Sequence, residues 1–130
     1  MNTPTFTQKN ILLIEDNEAD QLLFKEVAQQ ILPDAIITCA DDGQEAIELL
    51  EHTMPQPDII FLDINMPVMN GYEFLQAYGQ VIEERDIPTY ILTSSQNERD
   101  TRLFSPYTYI RGHIVKSTNY ENIFSVLKAL

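Results

Sequence analysis

Basic residues, cysteines, glycines and long apolar runs are all scarce in this chain, and each scarcity closes off a class of function. Eight lysines and arginines stand against twenty aspartates and glutamates, a formal charge of -12. Such a surface repels phosphate backbones and anionic membrane leaflets, so neither direct nucleic-acid binding nor membrane association is expected. A single cysteine, Cys39, can form no internal disulfide, and no charged-then-apolar leader opens the sequence; together these point to a reducing, cytoplasmic setting. The longest apolar runs, such as Ile59 to Leu62, fall far short of the ~20 residues that span a bilayer. Only four glycines are present and none forms a G-x-G-x-x-G or P-loop pattern, which argues against nucleotide binding.

What remains is 130 residues, the size of one domain with its own core. Residues 1–9, rich in Thr, Asn and Gln, read as a tail, and residues 10–130 as one compact unit. Short apolar runs at Ile11 to Ile14, Ala35 to Cys39, Ile59 to Leu62, Tyr90 to Leu92 and His113 to Val115 are too brief for helices and predict five strands. Between them, helical spacing appears at Leu23, Val27 and Ile31; at Ala46, Ile47 and Leu50; at Phe74, Leu75, Tyr78 and Ile82; and at Tyr120, Ile123, Phe124 and Leu127. Asp42 with Glu45, Asn70 with Glu73, and Thr118 with Glu121 each place a capping side chain three residues before an acid. The mostly polar stretch Asn97 to Phe104 supplies a further helix between the last two strands. Apolar strands alternating with helices predict a three-layer α/β/α sandwich around a five-stranded parallel sheet.

In such a sheet, ligands bind beyond the carboxyl ends of the strands. The first strand ends in Glu15-Asp16, the third in Asp63, the fourth in Thr93 and the fifth in Lys116. Any one of these acids, taken alone, is a helix cap or a solvated loop residue, and Lys116 alone is a surface lysine. Together they form a pattern. Two carboxylates about 4 Å apart repel by roughly 4 kcal/mol at an effective dielectric near 20, so three in one crevice demand a cation or raised pKa values. A hard divalent ion such as magnesium meets that demand, because it takes one or two carboxylates and completes its shell with water and phosphate oxygens.

From about Ile11 to Leu130 the chain resembles the receiver domain of two-component response regulators. The resemblance rests on Ile11-Leu-Leu-Ile-Glu-Asp-Asn, on Asp58-Ile-Ile-Phe-Leu-Asp-Ile-Asn-Met-Pro-Val-Met-Asn-Gly-Tyr-Glu-Phe, on Ile91-Leu-Thr-Ser-Ser and on Ile114-Val-Lys, in that order and with family spacing. It implies a flavodoxin-like sheet of strand order 2-1-3-4-5. It also implies that Asp63 accepts a phosphoryl group from a sensor histidine kinase or phosphotransfer protein. Mg2+ (or Mn2+) would be held by Glu15, Asp16, Asp63 and the backbone carbonyl of Asn65, while Lys116 and Thr93 would bind the phosphoryl oxygens. By the same resemblance Thr93 and His113 form the switch, Ser94 leaves room for the phosphoryl group, and Pro67 and Gly71 shape the loop after the third strand. The signal would leave to a downstream protein through the fourth helix, fifth strand and fifth helix, from a monomer or weak dimer. Catalysis would be confined to self-phosphorylation and self-dephosphorylation at Asp63.

Two positions depart from the family. Ser117 stands where a proline, often cis, usually follows the lysine, and a cis bond before serine would cost ~3 kcal/mol or more. His113 occupies the switch position usually held by tyrosine or phenylalanine, which adds a titratable ring. These departures motivate an alternative, a receiver-like interaction domain working without phosphate. An aspartate-nucleophile phosphatase of the haloacid dehalogenase type is disfavoured, because Asn65 stands where its general-acid aspartate belongs.

Overall fold

The computed structural model describes residues 8–53, 55–64, 66, 68–93, 107–116 and 121–130. Five strands, β1 (Asn10–Ile14), β2 (Ile36–Ala40), β3 (Ile59–Asp63), β4 (Thr89–Thr93) and β5 (Ile110–Val115), form one parallel sheet in the order β2-β1-β3-β4-β5. The helices are α1 (Glu18–Ile31), α2 (Gly43–Glu48, continuing into a wider π-type turn at Leu49–Thr53), α3 (Gly71–Arg85) and α4 (Glu121–Lys128). The expected fold class, five-strand layout and strand order are all present. After β2 the chain returns past β1 to lay down β3, so the order reverses between β1 and β3, where a crevice opens beyond the strand ends.

Strand alternation divides the interior into two cores. Leu12, Ile14, Ile60, Leu62 and Ile91 point to one face, where they meet Phe74, Tyr78 and Ile82 of α3. Ile11, Leu13, Ile59, Phe61, Leu92 and Ile114 point to the other, against Phe24 and Ala28 of α1 and Ile123 and Leu127 of α4. All five residues of β3 are buried, as a central strand covered on both faces requires. Phe61 anchors the second core. The Phe24 ring meets it edge-on at 4.9 Å between centroids, and Tyr90 stacks on it at 5.9 Å.

The structure differs from the sequence reading at α1. The buried positions are Phe24 and Ala28, while Leu23, expected in the core, is 44% exposed. Val27 and Ile31 pack, partly buried, against the same core, and Phe24, whose ring meets Phe61 edge-on, takes the place expected of Leu23. The predicted caps at Asp42 and Asn70 are present, the second as a reciprocal capping box with Glu73. Asn17 caps α1 through the Asp20 N–H, a cap the sequence reading passed over. The expected Thr118 cap and the helix at Asn97 to Phe104 lie outside the described residues.

Candidate functional site

Strand register assembles the site. Ile14 of β1 pairs with Leu62 of β3, which sets Glu15 beside Asp63; Asp63 pairs with Leu92 of β4, which brings up Thr93; and Thr93 pairs with Val115 of β5, which delivers Lys116. Backbone bonds carry the alignment past the strand ends: Glu15 N–H donates to the Ala40 carbonyl at 2.9 Å and Lys116 N–H to the Thr93 carbonyl at 2.7 Å. Glu15, Asp63 and Thr93 are buried, whereas Asp16, in the β1–α1 turn, is exposed.

One carboxylate oxygen from each of Glu15, Asp16 and Asp63 lies within 4.8 Å of the other two. An all-oxygen donor set this close, with one member reaching solvent, fits a hard divalent cation such as Mg2+ or Mn2+, which retains waters on its open side. Softer metals, which favour thiolate or imidazole, would find neither among these donors.

Lys116 closes the cluster from the far edge of the site. Its ammonium donates to Glu15 Oε1 at 2.8 Å, to Asp20 Oδ2 at 3.0 Å and to Asp63 Oδ2 at 3.4 Å. Burial works against its charge, but the bonds to Glu15 and Asp20 and the charge of Asp63 outweigh burial and raise the lysine above its usual range. Burial also pushes the Glu15 carboxyl up to about 7, against the opposing pull of Lys116 and with Asp63 adding to the rise. A native site thus favours either a proton or a cation beside Glu15.

Local structure holds these groups in place. Glu15 Oε2 accepts the Asn17 N–H at 3.1 Å, and Gln21 of α1 donates to the Glu15 carbonyl at 2.5 Å and to Asp41 at 3.0 Å. The turn from β1 into α1 is therefore clamped from both sides. A crevice beside it is lined by Asp16, Glu18, Gln21, Asp41, Asp42 and Val68 and is predominantly acidic. On the β3 side, a Cβ at Gly71 would lie 2.8 Å from both the Asp63 carbonyl oxygen and the Ile64 Cα, so only glycine lets α3 begin this close to Asp63.

Of the residues singled out from sequence, Glu15, Asp16, Asp63, Thr93 and Lys116 converge at one edge of the sheet. His113 stands apart from that cluster, in register with Ile91 on the α3 side, and its burial lowers its pKa. Asn65, Pro67, Ser94 and the Lys116–Ser117 bond lie outside the described residues. Asp20 was missed. It stands in the first turn of α1, three residues past the Asn17 cap, where no strand end marks it.

Comparison with known proteins follows the same outline. Residues 11–128 match the family described as response regulator receiver domain. Response regulator Rcp1 of Synechocystis sp. is 32% identical over 127 residues, which cover 94% of this chain and 86% of that protein. Among solved structures, the phosphorylated cyanobacterial phytochrome response regulator RcpA superposes with a TM-score of 0.79 at 30% identity, covering 95% of this chain and 91% of that one. The Mn(2+)-bound form of Rcp1 gives 0.76 at 31% identity, with 93% and 90% covered. The chemotaxis protein CheY4 of Vibrio cholerae, at 24% identity and a TM-score of 0.80 over 95% of this chain and 98% of that one, shares the fold.

Proposed function

Because the chain belongs to the response regulator receiver domain family, and so is a phosphoacceptor signalling module, we propose that Asp63 is the residue that takes the phosphoryl group. The observation that carries this reading is the meeting of three strand ends at one point: a buried Asp63 carboxylate with the Lys116 ammonium 3.4 Å from its Oδ2 and two further acids alongside. Asp63 attacks phosphorus in line with the departing group of a phosphohistidine or small phosphodonor. One P–N or P–O bond breaks as the aspartyl O–P bond forms. Lys116 moves from carboxylate to phosphoryl oxygen, stabilising the charge that develops there, and Thr93, buried at the end of β4, offers its hydroxyl to the same group. Glu15, Asp16 and Asp63 would hold Mg2+ or Mn2+, with the Asn65 carbonyl as the family resemblance implies, and the bound ion would neutralise charge on the transferring group. The Mn(2+)-bound and phosphorylated relatives support both parts of this reading.

Hydrolysis of the same aspartyl phosphate returns the protein to rest, so its catalysis is self-phosphorylation and self-dephosphorylation at Asp63. The donor is a sensor histidine kinase or phosphotransfer protein in the cytoplasm. The output passes to a protein partner over the face around β5, where His113 takes the place of the usual switch ring.

The test is the intact mass of the purified protein after incubation with acetyl phosphate, with and without magnesium. A magnesium-dependent gain of one phosphoryl group, lost in Asp63→Asn, is expected. Labelling that survives in Asp63→Asn would put the acceptor elsewhere, and no gain in the wild type would favour an interaction domain that works without phosphate.

A further inference from the structure

The Lys116 ammonium has three N–H donors and three carboxylate partners. Two of these partners, Glu15 and Asp63, also belong to the acid trio that can hold a cation; the third, Asp20, does not. A cation drawn to the trio competes with Lys116 for Glu15 and Asp63 and repels the ammonium at close range. Among the described residues, Asp20 is the one carboxylate bonded to the lysine that lies outside that trio.

Asp20 is also well fixed. It lies in the first turn of α1, with its own N–H held by the Asn17 side chain at 2.9 Å, and Asn17 is tied in turn to Glu15. Its side chain is 32% exposed, against 1% for Glu15 and 2% for Asp63. A bond at this wetter edge survives when the buried pair turns toward a cation, and it keeps the lysine within reach of Asp63.

Resting on the metal-dependent phosphoacceptor reading above, we infer that Asp20 is a positioning residue: it anchors Lys116 so that lysine and divalent cation can occupy the site together. Without it the ammonium is held only by carboxylates that the cation also needs, and the two compete.

The experiment is magnesium binding to the unphosphorylated full chain, measured by calorimetry in the wild type, D20N, K116M and the double variant. D20N should weaken magnesium about fivefold, the scale of one partly exposed ion pair, while in the K116M background the same change should cost less than about twofold. Equal losses in both backgrounds would mean that Asp20 acts on the cation directly and would overturn the inference, as would unchanged affinity in D20N. Should K116M fail to fold, the ammonium resonance of Lys116 decides. On magnesium saturation the signal should persist in the wild type and vanish into solvent exchange in D20N; persistence in D20N refutes the anchor. The binding isotherm needs no phosphoryl transfer. A wild-type chain that gains no mass from acetyl phosphate, yet loses affinity on D20N only when Lys116 is present, rejects the phosphoacceptor role and leaves the anchor standing.

Discussion

Glu15 carries the sharpest electrostatic tension in the molecule, being 1% exposed yet bonded to both a lysine and the turn that follows it. Its folded pKa, about 7, stands above its ordinary 4.5. Over that interval the native state binds more protons than the unfolded chain, so the contribution of Glu15 to stability is fully present below about pH 4.5 and is lost as pH rises through about 7. Lys116 titrates far above this window and leaves its sign unchanged. In metal-free buffer the wild type should therefore lose stability between about pH 5 and about pH 7.5 relative to Glu15→Gln, read as urea midpoints. Parallel pH profiles for the two proteins would assign the loss to another group. The convergence of Glu15, Asp16, Asp63, Thr93 and Lys116 was legible because each stands at or just past the end of an apolar strand, and in a parallel sheet such ends share one edge. Asp20 was not, because it sits in the first turn of a helix, and only the fold brings that turn to Lys116, 96 residues on.

Among the elements, the strands were plain in the sequence because β1 and β3 are nearly continuous apolar runs, buried in four and five of their five positions. The facing of α1 was legible only in part: Val27 and Ile31 pack on the second core as their spacing predicts, but Phe24, seated on Phe61, is buried where Leu23 was expected. The π-type turn at Leu49–Thr53 and the register shift between Thr89 and Tyr90 had no local signature either, because both are set by packing. The loop from β3 to α3 is the element on which the site depends most. Adding a methyl at Gly71 forces it against backbone atoms of Asp63 and Ile64, which cannot rotate away as a side chain would. Gly71→Ala should cost roughly 1–3 kcal/mol in urea denaturation and slow phosphorylation of Asp63 beyond what the lost stability explains. Wild-type stability and labelling in that variant would show that the loop yields freely.

At the scale of the whole molecule the formal charge is -12, and Asp16, Glu18, Asp41 and Asp42 line one crevice. A divalent cation held by Glu15, Asp16 and Asp63 would act as a folding ligand, stabilising the native state by about 2.7 kcal/mol at a hundred times its dissociation constant. Magnesium should raise the thermal midpoint well above sodium chloride of equal ionic strength, and Asp16→Asn should erase most of that difference. An equal rise with both salts would reduce the effect to general screening. Chain order adds a last consequence. Lys116 lies 101 residues beyond Glu15 and 96 beyond Asp20, so the acids at the end of β1 are made long before their counter-charge and stay uncompensated until β5 docks on β4. The chemistry of the site is thereby tied to the completion of the sheet: a nascent or partly unfolded chain presents acids without their lysine and has no assembled centre with which to pass a signal.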